Sequence, residues 1–404
     1  MSKRKRLLFV LASGHGISHW FQGTMSVCLP GIIADLGISY TQIGFLRSFQ
    51  RVAVLLSAVG GGVATDFLSH RKALLIFSVL WPTLFFFLQG FSTTVTVLAT
   101  LIFIQNLCGG FLWHAPARAT IGEQFPDRMG FGLGVHTMGA NVAQTLAPLI
   151  VGALLAWVSW RTAFKLTLIP GLLTAVMLMQ LLPRLKRTAN SMEGSYLRNF
   201  RADVVKNSGF LGVTVVAALR SVGESMLPVF LPLYLAAELK MGTATIGVYL
   251  AALTFVGTVG APAIGCISDR WGRKSTIFLS LLLGSIFIAL IPIAGSDTML
   301  LPMVAMGGLA VFAVGPIIQA CALEHTPSNL WGSAQSFMDI GRALLSLVFP
   351  LIGGAIADAY GLAYAFYLMG AVNLLGALII LAVPAPGPRH LRVGTPALAA
   401  ARST

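Results

Sequence analysis

Two pairs of opposite charges sit inside long apolar runs of this 404-residue sequence: Arg220 with Glu224, four residues apart, and Asp339 with Arg342, three apart. Both spacings put the partners on one face of a helix, within reach of an ion pair. An ionisable group in such a setting costs about 2.5–3.5 kcal/mol on membrane-insertion scales, so each one asks for a reason. One reason is structural: paired charges neutralise each other and lower the cost of burial. The other is chemical. Desolvation disfavours the charged carboxylate, which makes Glu224 first, and Asp339 second, candidates to bind and release a proton. The neighbouring arginine opposes protonation until substrate or an opening motion draws it away.

The first half of the chain carries a different set. His15, His19 and Gln22 share one helix face, as do Arg47, Gln50 and Arg51; Asn106, His114 and Arg118 follow, then His136, Asn141 and Gln144. No carboxylate accompanies them at mid-depth. A cavity lined by Arg51 and histidines favours an anionic or hydrogen-bond-accepting substrate. The candidate substrate-binding residues are therefore His19, Gln22, Arg51, His114, His136, Asn141 and Arg220. The alternative is that Arg51 binds backbone carbonyls or a neighbouring helix and that the histidines are neutral packing groups. Arg47, Arg118 and His114 are expected nearer the ends of their runs, where long polar side chains reach the interface.

The elements that hold these residues follow from composition. Hydrophobic residues make up 56% and charged residues 10%, against about 25% charged in soluble domains. The apolar residues fall in runs of about 20, the length a helix needs to cross about 30 Å of hydrocarbon. The expectation is an all-α polytopic membrane protein with twelve spans, near 7–33, 42–64, 73–91, 96–120, 131–157, 162–182, 208–236, 246–267, 275–294, 300–322, 333–357 and 362–383. The run after Lys3-Arg4-Lys5-Arg6 has no small-residue cleavage site and reads as the first span. Nineteen Lys and Arg fall on the side of the even-numbered loops and the termini, and three (Arg161, Lys165, Lys240) on the other. That asymmetry places both termini in the cytoplasm.

An internal repeat divides the chain. At an offset near 202, Pro30 meets Pro232, Gly44 meets Gly247, Asp66 meets Asp269 and Glu123 meets Glu324; Gly139, Pro148, Gly152, Ala163 and Phe164 meet Gly341, Pro350, Gly354, Ala365 and Phe366. Glycines and prolines mark close helix approach and broken hydrogen bonding, so their register signals repeated backbone geometry. The expected organisation is a six-helix bundle over 1–182, a basic cytoplasmic linker over 183–207, a second six-helix bundle over 208–383 and a disordered tail over 384–404. Such a repeat places the substrate path between the halves, near the midplane.

With those residues in view, the sequence resembles the major facilitator superfamily. The motif Gly265-Cys-Ile-Ser-Asp269-Arg270-Trp-Gly272-Arg273-Lys274 is similar to that family's loop between spans eight and nine, and Gly62-Val-Ala-Thr-Asp66 with Arg71-Lys72 is a degenerate first copy. The resemblance implies a cytoplasmic gate made of Gly62, Asp66, Arg71, Glu123, Gly265, Asp269, Arg270, Gly272, Arg273 and Glu324. In it Asp66 faces the start of span eleven, Asp269 faces the start of span five, and Arg71 and Arg273 pair with Glu123 and Glu324. The bland alternative is that these charges only fix topology. Ser18-His19, Phe111-Leu-Trp-His114-Ala-Pro116, Gly139-Ala-Asn141 and Ala147-Pro148 further resemble the fosmidomycin-resistance-like exporters. The sequence departs from that subgroup at Gln22-Gly23, where Asn-Asp is expected, at Ala115 between His and Pro, and at Gln105-Asn106 in place of an arginine.

The expectation is a secondary active transporter working by alternating access, with proton-coupled efflux of a small drug-like compound implied by the subgroup and proton-coupled uptake of a small organic anion as the alternative. A non-transporting sensor on the same fold is the remote reading. No nucleotide-binding signature, HExxH or nucleophile–base spacing points to an enzyme. The four cysteines are scattered and form no CxxC, so no metal site is expected. The net charge of +14 sits in loops rather than in an aromatic-interleaved stripe, which argues against nucleic acid. The expected partners are substrate and lipid, with no cofactor beyond a proton gradient, for a monomer in a bacterial inner membrane.

Overall fold

The computed structural model describes residues 3–67, 71–108, 111–125, 128–183, 204–295, 297–327 and 330–384. The linker expected over 183–207 and the tail expected over 384–404 fall almost wholly outside the described residues. So do the side chains of Gly62 and Asp66.

The described residues form fifteen α-helices, one 3-10 turn and no strand. They are α1 (Lys3–Leu36), α2 (Tyr40–Phe67), α3 (Arg71–Gln89), α4 (Val95–Cys108), α5 (Phe111–Gln124), α6 (Met129–Leu154), α7 (Trp160–Leu166) and α8 (Leu168–Leu181). After the linker come α9 (Ser208–Ala237), α10 (Thr243–Trp271), α11 (Arg273–Leu290), α12 (Asp297–Phe312), α13 (Gly315–Glu324), α14 (Trp331–Tyr360) and α15 (Leu362–Ala382). Nine helical segments among them are long and apolar enough to cross a bilayer. Three expected spans are each built from two helices: 96–120 from α4 and α5, 162–182 from α7 and α8, and 300–322 from α12 and α13. The last break has a visible cause. Pro316 lacks an N–H and sits at the start of α13, where a helix tolerates it, so the chain bends at Ala313 and Val314.

Helix pairs recur across the chain. α1 packs on α6 as α9 packs on α14, and α3 packs on α8 as α11 packs on α15; α2 packs against α14, and α6 against α10. The last two contacts use the glycines and prolines of the sequence repeat. A Cβ on Gly44 would lie 2.2 Å from the Pro350 carbonyl oxygen, and one on Gly247 would lie 2.3 Å from that of Pro148. Only glycine permits backbones to approach so closely. A Cβ on Gly354 would lie 2.3 Å from the Tyr40 carbonyl oxygen, and one on Gly152 would lie 2.7 Å from that of Thr243. All four contacts gather at the end where α2 and α10 begin, which we call the Tyr40 end. There the Asp358 carboxylate also accepts the backbone N–H groups of Tyr40 and Thr41, at 2.9 and 2.8 Å.

The opposite end, where α3 and α11 begin, is built on paired charges. Arg71 donates to Glu123 at 2.7 Å, and Arg273 donates to Glu324 at 3.1 Å. Lys72 caps the carbonyls of Met179 and Leu182, while Lys274, 202 residues on, caps those of Leu381 and Val383. A cation is favoured where a helix presents its last unpaired carbonyls. Gly272 joins α10 to α11 with φ +90, a backbone state that L side chains rarely adopt. The Asp269 carboxylate pairs with Arg273, four residues on, at 2.6 Å, and is 64% exposed. Arg270 is exposed beside it, and a Cβ on Gly265 would meet nothing within 4 Å.

Candidate functional site

Between the two sets of helices lies a polar cavity with two adjoining lobes of about 300 and 420 Å³. His19, Gln22, Arg47, Gln50, Arg51, Asn106 and Glu224 line both lobes. The smaller lobe adds Asn141 and Gln144 from α6; the larger adds His114 and Arg342. Residues from α1, α2, α6, α9 and α14 thus converge although the sequence separates them by more than 300 positions.

The polar wall is held by a short relay. Arg47 donates to Gln50 at 3.0 Å, one turn along α2, and Gln50 donates to Asn106 of α4 at 3.2 Å. Facing it, Glu224 receives Arg220 at 2.6 Å and Arg342 at 3.1 Å, while Arg342 also reaches Asp339 at 3.1 Å. Arg47, Arg51 and Arg342 face the larger lobe, with Glu224 as its one carboxylate among the described residues. Three cations against one anion leave an excess of two positive charges. The far part of that lobe is apolar, lined by Phe21, Met25, Ile43, Phe86 and Leu98, with the Phe21 and Phe86 rings stacked 4.9 Å apart. The arrangement suits a molecule with an anionic head and a carbon body, because a low-dielectric wall strengthens charge recognition.

Of the residues singled out from sequence, His19, Gln22, Arg51, His114, Asn141 and Glu224 meet at this cavity. Three do not. His136 is 2% exposed and stacks on His15, with centroids 4.2 Å apart, behind the α1 wall. Arg220 is 4% exposed and donates to Glu224 and to the carbonyl of Val311, which the break between α12 and α13 leaves free. It reaches only a side chamber of about 200 Å³ and positions Glu224 rather than facing the main cavity. Asp339 is 48% exposed and lies outside the cavity lining, held by Arg342 and Gln335. Arg47, expected as an end residue, and Arg342, expected only as the partner of Asp339, both line the larger lobe. Their spacing to Gln50 and Asp339 was visible, but which face of the helix turns inward was not.

The sequence model of the Major Facilitator Superfamily matches the chain twice, over residues 11–215 and 213–402. The Hexuronate transporter of Bacillus subtilis is 23% identical over 399 residues, covering 93% of both chains. Multidrug resistance protein MdtG of Salmonella typhimurium is 25% identical over 370 residues, covering 87% of this chain and 88% of its own. Among solved structures, a bacterial homologue of the human lysosomal transporter Spinster, inward-facing and occupied, superposes with a TM-score of 0.81 at 15% identity, covering 95% of this chain and 97% of its own.

Proposed function

The chain belongs to the Major Facilitator Superfamily, a family of multi-pass membrane transporters and not of enzymes, and we propose that it carries small organic anions by alternating access, coupled to protons. The excess of two positive charges on the lining of the larger lobe carries this reading. The similarity to a hexuronate transporter supports an anionic cargo. The apolar far wall selects a compact carboxylate whose carbon body shields that wall from water.

In this reading, twelve spans are arranged as two six-helix bundles over 1–182 and 208–383, joined by the linker. The nineteen-to-three charge asymmetry supports cytoplasmic termini in a bacterial inner membrane. The tight glycine contacts then close the outer side, and the exposed Asp269 belongs to an open cytoplasmic side. Rocking the bundles about the cavity exchanges these states, and one copy of the chain suffices.

The coupling step follows from competition. A substrate carboxylate entering the larger lobe binds Arg51 and Arg342. Arg342 then leaves Glu224, which keeps only Arg220 and takes up a proton. Release of substrate returns Arg342 to Glu224 and expels the proton. No step requires a cofactor beyond the proton gradient.

Export of drug-like compounds is the second reading, favoured by the similarity to MdtG and by the apolar wall. Proteoliposomes holding a pH-sensitive dye separate the two. An imposed proton gradient that is discharged by aliphatic or aromatic carboxylates, and not by cationic drugs, supports anion transport. Discharge by cationic drugs alone overturns it in favour of export. Discharge by neither, while labelled carboxylate still crosses, removes the proton.

A further inference from the structure

Behind the cavity wall, His15 of α1, His114 of α5 and His136 of α6 bring one ring nitrogen each to within 4.8 Å of one another. Glycines create this convergence. A Cβ on Gly14 would meet the Trp113 ring at 2.0 Å, one on Gly16 the Gly139 carbonyl at 3.0 Å, and one on Gly139 the Ala12 carbonyl at 2.2 Å. His15 stands between the two α1 glycines, so the backbone approach that needs them delivers its ring between α5 and α6.

The protonation pattern is partly fixed by geometry. His15 Nδ1 lies 3.1 Å from the backbone carbonyl of His136, and a carbonyl can only accept, so Nδ1 carries the proton. His15 Nε2 is therefore a bare lone pair, and it is buried without a hydrogen-bond partner. His114 Nδ1 is likewise buried and unpartnered, and His136, whose ring meets the Leu11 backbone carbonyl, keeps its other buried nitrogen without a partner. An unsatisfied buried polar atom costs about 1–3 kcal/mol, so three in one place need a common explanation. A histidine that donates one nitrogen to a backbone carbonyl and presents the other inward is the usual arrangement of a metal ligand.

We propose that His15, His114 and His136 hold one divalent first-row transition metal ion of the zinc class. Imidazole suits zinc, cobalt, nickel and copper, whereas magnesium and calcium require oxygen ligands. A metal–nitrogen distance of about 2.0–2.1 Å asks the three rings to close by about 1.5 Å, within reach of side-chain rotation. Three neutral ligands leave a fourth position and two positive charges. His114 also lines the larger lobe, so that position opens toward the arginine-lined space where anions collect, and an anion or hydroxide completes the shell. The site does not depend on which compound is carried.

The test uses full-length protein purified through a tag without histidines, stripped with chelator and titrated with Co²⁺. The expected result is one equivalent bound with the intense visible band of tetrahedral cobalt, displaced by Zn²⁺. His15→Gln and His136→Gln should each weaken binding at least 10-fold. X-ray absorption on the zinc-loaded wild type, which does not depend on any variant folding, should report three imidazole nitrogens. Unchanged affinity in folded variants, a weak octahedral band, fewer than two imidazoles in the absorption fit, or no binding by the wild type overturns the proposal.

Discussion

Arg342 of α14 donates to Glu224 of α9 at 3.1 Å while its other terminal nitrogen holds Asp339 of its own helix at the same distance, so one guanidinium ties α14 to α9 and is steadied from within α14. Glu224 is the centre of this arrangement because Arg220 reaches it from the other side at 2.6 Å. Glu224→Gln keeps an acceptor for both arginines but removes the exchangeable proton. We expect proton-driven accumulation of carboxylate to fall at least 10-fold, while counterflow of labelled against unlabelled substrate persists. Asp339→Asn, outside the cavity lining, should leave proton-driven transport within about 2-fold of wild type. Equal loss in both modes for Glu224→Gln would make it a binding residue and remove the coupling role.

Arg51 tests the charge argument. It lines both lobes and no ion pair neutralises it among the described residues, so its guanidinium is available to cargo. A charge-assisted hydrogen bond contributes about 1.5–3 kcal/mol, which corresponds to about 10- to 150-fold in affinity. Arg51→Gln should weaken carboxylate binding in that range, measured by tryptophan quenching or calorimetry. Arg51→Lys should recover part of it, since a point charge remains but the planar fork is lost. If both variants bind carboxylate as wild type does, the positive lining is not the recognition element.

Much of this was legible in the residues. Apolar runs located the helices because hydrocarbon length leaves little freedom. The repeat identified Gly44, Gly247, Pro148 and Pro350 as special, although not that each glycine meets the other half's proline. Side-chain direction was the harder quantity. His136 and Asn141 lie on the same helix about 140° apart, so they cannot both face the cavity, and which of the two turns inward is set by the helices packed against α6. Arg220 was drawn to a free carbonyl that exists only because α12 breaks before Pro316. The histidine triad needed three helices held close by Gly14, Gly16 and Gly139, and its members stand up to 121 residues apart.

The glycine contacts predict how closure fails. Because a Cβ on Gly44 or Gly247 would lie 2.2 or 2.3 Å from a carbonyl oxygen, Gly44→Ala and Gly247→Ala must each push their helix pair apart at the Tyr40 end. Backbone cannot yield as a flexible side-chain tip can, so the closed arrangement is penalised and the opposite one is not. A single cysteine at Ala261, on the lining of the smaller lobe, reports this in a background without the four native cysteines. Impermeant maleimide should label it from the cytoplasmic face in the parent, and labelling from the outer face should rise in either glycine variant. No change in sidedness would mean that these contacts do not control access.

Asp358 offers a gentler test of the same gate. Its carboxylate accepts from Tyr40 and Thr41, the first N–H groups of α2, as a capping residue would, except that it comes from a helix more than 300 positions later. These bonds can form only while the Tyr40 end is closed. Losing a cap costs about 0.5–2 kcal/mol, so Asp358→Ala should shift the conformational equilibrium toward outer opening by roughly 2- to 30-fold. The direction matches that of Gly44→Ala, and the two act on the same pair, α2 and α14. Combined, they should therefore give less than the product of their separate effects, whereas Asp358→Ala with Gly247→Ala, on different helix pairs, should multiply. Cysteine labelling at Ala261 in the single and double variants measures both products. Strict multiplication in both combinations would show that Asp358 and Gly44 do not share one interface.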